Sequence, residues 1–297
     1  MADGCRLCPR ECGADRSVRR GICGADDKIR IARVGLHLWE EPCLSYGAGS
    51  GTIFFSGYPL GCVFCQNREI SHFFHGVDVD VHTLASEILN LQHKGASNIN
   101  FVTPTHYTLQ IISALELVKD KLKIPVCYNC SGYEKSETVL MLKDYIDIFL
   151  PDFKYFSPVF SKKYSGAADY FDVASKAIEK MFENVSYPVF DQNGHLVKGV
   201  LIRHLVLPGL YRDSFKILDY LASKYDTQKL AVSIMSQYFP APECASFPEI
   251  NRRLTSLEYQ KVVEHAKKLG IVNGYTQSRS SADKDYVPDF DYTINSD

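Results

Sequence analysis

Phe54-Phe55-Ser56-Gly57-Tyr58-Pro59-Leu60-Gly61-Cys62-Val63-Phe64-Cys65-Gln66-Asn67 is the stretch on which the reading of this chain turns. It begins as the end of an apolar run, Thr52-Ile53-Phe54-Phe55, and breaks at Ser56-Gly57. It then presents two cysteines three residues apart. A C-x2-C pair on a tight turn aims two thiolates at one metal, which is why the spacing recurs in zinc and iron–sulfur sites. Downstream, short apolar runs alternate with helical periodicity six or seven times. Runs at Asn98–Val102, Pro125–Asn129, Ile146–Leu150, Gly199–Leu207, Leu230–Met235 and Asn273–Gln277 read as strands. Val81, Leu84, Ile88 and Leu91 mark one helical stripe, with Asp80 as its N-cap and Gly95 near its stop. Ile111, Leu115, Val118 and Leu122 mark the next, and further helices are expected near 137–145, 168–184, 213–224 and 258–269. Val189-Phe190 and Leu196-Val197 flank Asn193-Gly194 as a small hairpin. Near-continuous apolar strands imply burial on both faces. The expected fold is therefore α/β, a partial (β/α)6 parallel barrel over residues 51–277, after a Cys-rich extension (1–50) and before a polar tail (278–297).

The rest of the composition narrows the functions. The chain has 297 residues, 45% hydrophobic and 23% charged, with a net charge of −2. That balance gives no reason to expect nucleic acid as a partner. No apolar run is long enough for a bilayer span. The N-terminus has no apolar signal core, so a cytoplasmic location without a membrane partner is expected. Ten cysteines in such a chain favour metal or cluster ligation over disulfides. Besides Cys62 and Cys65 they group as Cys5-x2-Cys8-x3-Cys12-x10-Cys23 and Cys127-x2-Cys130, with Cys43 and Cys244 single. The first group has enough thiolates for a closed tetrahedral site, zinc or a second cluster. A reduced arm packed on the barrel is the alternative. Cys127 and Cys130 face opposite ways on a strand and read as core thiols.

In parallel α/β barrels the site lies at the C-terminal strand ends. Ser56–Cys65, Thr103–Tyr107, Asn129–Glu134, Asp152–Tyr155 and Gln237–Tyr238 fall there. Arg203 and His204 sit inside their strand, and one of them points into the barrel. The loop Gly57–Asn67 resembles the loop after the first strand of radical S-adenosylmethionine (SAM) enzymes, where C-x3-C-x2-C supplies three thiolates to a [4Fe–4S] cluster. Further motifs extend the likeness over about residues 5–290: Cys5-Arg6-Leu7-Cys8-Pro9-Arg10-Glu11-Cys12, Asn98 to Tyr107, Tyr128-Asn129-Cys130-Ser131-Gly132-Tyr133-Glu134, Leu150-Pro151-Asp152-Phe153-Lys154-Tyr155, Arg203 to Gly209, and Met235-Ser236-Gln237-Tyr238. Together they resemble uncharacterised iron–sulfur proteins related to the pyruvate formate-lyase activating enzyme.

The resemblance implies a radical SAM enzyme of oxidoreductase type that cleaves SAM reductively to a 5′-deoxyadenosyl radical. Cys62 and Cys65 would be cluster ligands, and Phe64, Gln66 and Asn67 would lie beside the cofactor. Thr103, Thr105 and His106 occupy the place of the turn that binds the SAM amino group. Asn129 and Ser131 correspond to ribose-binding groups. Asp152, Lys154, Arg203 and His204 correspond to residues facing SAM and substrate. It implies a glycyl-radical enzyme or another protein as substrate partner and flavodoxin or ferredoxin as reductant. Asp152 with Lys154 can instead be a structural ion pair, His204 a core histidine and His106 a helix cap. Nothing in the sequence places Trp39, Glu40 and Glu41, although the barrel mouth is open to them.

The chain departs from the pattern at Tyr58, where the first cluster cysteine belongs. Three readings stand: a variant of a three-cysteine protein; a natural loss that leaves a non-catalytic SAM- or partner-binding fold; or a phenolate ligand, with Cys43 as a substitute thiolate if its segment folds over the mouth. A phenol with pKa about 10 ionises less readily than a thiol. A zinc protein built on the N-terminal cysteines is a further, separate reading.

Overall fold

The computed structural model describes residues 4–276 and Phe290. The last residue of the expected final strand, Gln277, and all of the tail except Phe290 lie outside the described residues. The strands are β1 (Ile29–His37), β2 (Ser50–Phe55), β3 (Val77–Val79), β4 (Ile99–Val102), β5 (Val126–Cys130), β6 (Ile148–Pro151), β7 (Val189–Phe190), β8 (Leu196–Leu205), β9 (Ala231–Met235) and β10 (Asn273–Thr276). The helices are α1 (Arg68–Ser71), α2 (Val81–His93), α3 (Thr108–Val118), α4 (Ser136–Met141), α5 (Pro158–Ser165), α6 (Tyr170–Val185), α7 (Tyr211–Lys224) and α8 (Ser256–Lys268).

The sheet order is β10-β9-β8-β6-β5-β4-β2-β1-β3. The run from β2 to β10 is parallel throughout, with helices in the crossovers. The barrel is partial: β10 and β2 do not pair, and β2 instead takes β1 as an antiparallel neighbour. Every residue of β2, β4, β5, β6 and β9 is buried, as parallel strands covered on both faces require. Asp80 caps α2 by accepting from the Thr83 N–H at 2.7 Å, and Gly95 follows its end with φ +85°. The Asn193-Gly194 turn folds β7 onto β8. Four elements are additions to the expectation: β1, within the Cys-rich extension; α1 and β3, between the loop and α2; and α5, which opens with Pro158.

Alternation along each strand sorts side chains between helices and lumen. Ile99 and Phe101, Val200 and Ile202, and Val232 and Ile234 pack in the large core beneath the helices. Their neighbours Cys127, Ile148, Leu150, Leu201 and Ala231 form a second cluster in the lumen with Cys43 and Leu44 from the segment between β1 and β2. That segment plugs the barrel from within. No helix among the described residues is long and apolar enough to cross a membrane.

Candidate active site at the strand ends

The loop after β2 is fixed by backbone contacts before any side chain matters. Gly57 has φ +95°, and a Cβ there would lie 2.5 Å from the Cys23 carbonyl oxygen, so only glycine fits. The Tyr58 N–H donates to that carbonyl at 2.9 Å, and the Val63 N–H to Tyr164 O at 2.9 Å. Arg10 reaches from the N-terminal arm to donate to Pro59 O at 2.8 Å. Held this way, the loop lies across the C-terminal ends of the strands. Tyr58, Cys62, Phe64, Cys65, Gln66 and Asn67 face an open cavity of about 230 Å³ that Thr103, Asn129, Ser131, Asp152, Lys154 and Arg203 also line.

Charge in the pocket is concentrated on one network. Asp152 takes Lys154 Nζ at 2.6 Å and Arg203 Nη2 at 2.9 Å. Arg203 Nη2 also donates to Asn129 Oδ1 at 2.6 Å, and its Nη1 lies 3.7 Å from Glu40 Oε2. Burial pushes the Asp152 carboxyl up, but Arg203 and Lys154 outweigh it and hold it below the usual carboxylate range. Removing one partner from so buried a network leaves an uncompensated charge. Gln66 Nε2 donates to Gln237 O at 2.9 Å, tying the loop to the end of β9. Phe64 packs against Tyr155 and Tyr238 with ring centroids 6.4 and 6.0 Å away.

The two loop thiols each have a hydroxyl neighbour: Ser165 Oγ donates to Cys62 Sγ at 2.9 Å, and Ser71 Oγ lies 3.2 Å from Cys65 Sγ. Burial raises both thiols, Cys62 to about 11. Tyr58 shares the pocket, and its phenol is pushed well above its ordinary value by burial, with Cys62 and Asp152 adding to the effect. The loop thus offers two thiols and a phenol that resists ionising. Among the described residues no three His, Cys, Asp or Glu side chains are grouped as a metal ion requires. The present donors therefore do not fit a cluster held by three thiolates.

Several expected site residues are elsewhere. His204 lies on the helix face of β8: its Nδ1 contacts Phe153 O at 2.7 Å and its Nε2 contacts Ser214 Oγ at 2.8 Å. It is a core histidine, held neutral by burial down to about 4, and Arg203 is the one that enters the barrel. Thr105 is buried and donates to Glu134 Oε1 at 2.6 Å. His106 Nε2 meets Ser56 O at 2.8 Å; it props the loop from behind and does not line the pocket. Cys43 is buried in the lumen beside Cys127, so it cannot replace the missing loop ligand. Cys5, Cys8 and Cys23 are buried and Cys12 is half-buried. They lie near one another in the arm, Cys23 close to Cys5, Cys8 and Cys12, and among the described residues no three of them are grouped as a bound metal ion would draw them.

Trp39 and Glu40 line the pocket as well, and Trp39 is 54% exposed. No motif announces them; a Trp-Glu-Glu run just before the strand that carries the loop is the only signal the sequence offers.

A family model described as the radical SAM superfamily matches residues 52–220. An uncharacterized protein of Methanocaldococcus jannaschii is 32% identical over 278 residues, covering 90% of this chain and 75% of that protein. Among solved structures, a spore photoproduct lyase variant superposes with a TM-score of 0.52 at 12% identity, over 82% of this chain and 79% of that one. Streptococcus suis SuiB bound to precursor peptide SuiA superposes with a TM-score of 0.50 at 14% identity, over 74% of this chain. The match spans 46% of SuiB. At these identities the structural likenesses speak to the fold.

Proposed function

The chain belongs to the radical SAM superfamily, and we propose from that premise that the strand-end pocket binds S-adenosylmethionine for SAM-dependent radical chemistry. One observation carries the reading. Cys62 and Cys65 of the loop face the same space as Asn129, Ser131, Asp152, Lys154 and Arg203 from successive strand ends. In this reading Phe64 lies against the adenine, Asn129 and Ser131 hydrogen-bond the ribose, and the cationic pair Lys154 and Arg203 meets the SAM carboxylate. Gln66, Asn67 and Thr103 complete the wall. Only with a third thiolate in the loop, as in Tyr58→Cys, would Cys62 and Cys65 hold a [4Fe–4S] cluster, whose chemistry is one-electron reduction of SAM. This chain's own task is to hold the nucleoside and to exclude water from the reacting carbon. With Tyr58 in the first cluster position, the chain as written is short of one thiolate.

A polypeptide is the proposed substrate class. Leu38 and Trp39 leave exposed apolar surface beside the pocket, and SuiB is a family-fold protein seen with a precursor peptide. A glycyl-radical enzyme as that polypeptide, with flavodoxin or ferredoxin as reductant, is the finer proposal that the motif resemblance implies.

The test is SAM binding by anaerobic equilibrium dialysis, on the chain as written and on Tyr58→Cys, both reconstituted with iron and sulfide. Binding in the Tyr58→Cys form that is lost on adding Arg203→Met is the expected result. No SAM binding in either form would overturn the assignment of the pocket.

A further inference from the structure

The open side of the partial barrel carries a contact from the far end of the chain. β10 ends one edge of the sheet, and β2, β1 and β3 lie toward the other. The last strand closes at Thr276. Phe290 lies across the mouth from it, against Ala32 of β1, Phe54 of β2, Ile70 of α1 and Val102 of β4. An extended chain covers about 3.3 Å per residue, so the tail is long enough for that crossing. Phe290 is half-buried. Its ring meets Phe54 edge-on, with centroids 5.6 Å apart and planes at 74°, and His37 meets the same ring edge-on at 6.3 Å. Edge-to-face pairs of this kind favour a defined ring orientation.

The place of this contact matters more than its area. Phe54, Ile70 and Val102, three of the four side chains that Phe290 meets, also line the strand-end pocket, together with His37 and Cys65. A ring that only filled a gap in the fold would need no such place. The sequence around Phe290 adds a second signal. It stands between Asp289 and Asp291, and residues 283–297 hold five aspartates against one lysine. Arg33 of β1 is the register partner of Phe54, so the two share a face of the sheet. Its charge adds to burial in depressing His37 on that face. An apolar wall with a cation at its border fits an aromatic side chain flanked by carboxylates.

We propose that Ala32, Phe54, Ile70 and Val102 form a docking site for an aromatic side chain in an acidic peptide, and that the chain's own tail fills it through Phe290 and caps the pocket. The tail is tethered, so its effective concentration at the wall is about millimolar. A free peptide has to out-compete it. With the tail docked, the way into the pocket is narrowed. A polypeptide that brings the same pattern displaces the tail and gains the pocket in one step. That last role rests on the polypeptide substrate class proposed above, whereas the docking of the tail does not.

The probe is a fluorescein-labelled peptide of residues 285–295, followed by anisotropy against the full chain. It should bind the Phe290→Ala chain saturably and the wild type at least about tenfold more weakly, because the tethered tail competes. The same peptide carrying Phe290→Ala should not bind. Arg33→Glu, added to the Phe290→Ala chain, should weaken binding by up to about fivefold. Access to the pocket is read separately, as the rate of iodoacetamide alkylation at Cys65 by mass spectrometry. That rate should rise several-fold in Phe290→Ala and return toward the wild-type value when the peptide is added. No rise, or a rise that the peptide does not reverse, overturns the cap. Equal peptide binding by wild type and Phe290→Ala, or binding that ignores the phenylalanine, overturns the docking. So does a concentration-dependent dimer of the wild type that Phe290→Ala abolishes, since the site then takes the tail of a second copy. Neither readout uses iron or SAM, so a failed docking leaves the pocket assignment standing, and the reverse.

Discussion

The loop Ser56–Asn67 and the arm Cys5–Cys23 both carry closely spaced cysteines, and the fold treats them in opposite ways. The loop has two thiols, and both face the pocket. The arm has four, and its contribution to the site runs through its backbone and its arginines. The Cys23 carbonyl accepts from the Tyr58 N–H, Arg10 holds Pro59 O, and Arg16 donates to His106 O at 2.5 Å. An ion pair between Glu11 and Lys135 fastens the arm to the end of the barrel. Spacing tells which thiols can converge; placement relative to the strand ends tells what they meet. On this view the loop is an incomplete ligand set and the arm is its clamp.

The largest expected effect breaks the comparison at its weakest residue. Tyr58→Cys gives the loop its third thiolate, at the spacing from which the tripod normally binds. Reconstituted anaerobically, the chain as written should retain little loop iron, and Tyr58→Cys should approach about four irons per chain. 5′-Deoxyadenosine formation with a strong reductant should follow the iron. Equal iron and equal product in the two proteins would mean that the phenol serves as a ligand after all. Iron in the Tyr58→Cys form without product would separate cluster assembly from catalysis.

Next in size is the ion network under the loop. Arg203→Met leaves Glu40 and Asp152 without their guanidinium while keeping the bulk of the side chain. Unpairing a buried charge costs about 3–5 kcal/mol, or about 10 °C in Tm for a chain of this size. The matched control is Arg10→Met in the clamp, whose bonds run to Pro59 O and Gly166 O at the surface. It should cost about 1 kcal/mol and lower iron retention in the Tyr58→Cys background. If Arg10→Met costs as much as Arg203→Met, the arm is a core element and not a clamp.

How much of this was legible beforehand differs by element, for physical reasons. Strands buried on both faces read as unbroken apolar runs, so β2, β4, β5, β6 and β9 could be found without a structure. Ile29–His37 is less plain: one face turns toward solvent, and Arg30 and Arg33 interrupt its apolar run. Adjacent residues on a strand point to opposite faces, so it followed that only one of Arg203 and His204 enters the barrel. The choice between them depends on which face meets α7, where Ser214 takes the histidine. Thr105 and His106 sit one turn past the strand end, and only the three-dimensional path shows them turning behind the loop. Glu40 and Glu41 reach the barrel through an irregular segment, for which sequence periodicity offers no guide.

The struts behind both regions set the pH response. Burial holds His106 and His204 down to about 4 from an ordinary 6.5. Between those values the unfolded chain binds protons that the folded chain refuses. Their contribution is thus complete above pH 6.5 and is lost as pH falls toward 4. Glu134, beside Cys8 of the arm, is raised by burial to about 8 from 4.5. The folded chain keeps a proton that the unfolded one releases, so its contribution is present below 4.5 and lost as pH rises toward 8. Of these three groups, the two histidines outweigh the glutamate from pH 4.5 to 6.5, and from 6.5 to 8 only the glutamate responds; Glu40 and Glu41, also raised by burial, act in its direction. Stability by urea unfolding should peak near pH 6.5 and fall on each side by no more than about 3 kcal/mol. In Glu134→Gln the fall above pH 6.5 should shrink. A profile that keeps rising to pH 8 in the wild type would contradict the buried acid.

The smallest effect belongs to the arm's own thiols, and it tests whether clamp is the right word. Cys12 is the least buried of the four, and its sulfur and that of Cys23 both lie against Gly21, 3.3 and 3.4 Å from where a Cβ would stand. Burial raises the Cys12 thiol, yet backbone N–H groups, those of Ile22 and Ala14 among them, outweigh it and leave it below the ordinary cysteine value. A thiol in that position is the one that a metal would recruit and that a serine would replace at least cost. If the arm acts through its backbone, Cys12→Ser should change stability by less than about 1 kcal/mol and leave zinc and iron content unchanged. A structural zinc is worth on the order of 10 kcal/mol of folding in small metal-dependent domains, so a metal in the arm would make the same substitution costly. Elemental analysis of the purified chain, paired with the Tm of Cys12→Ser, separates the two by a wide margin. One equivalent of zinc lost together with the fold of the arm would make the two cysteine regions alike, each a ligand set in its own right.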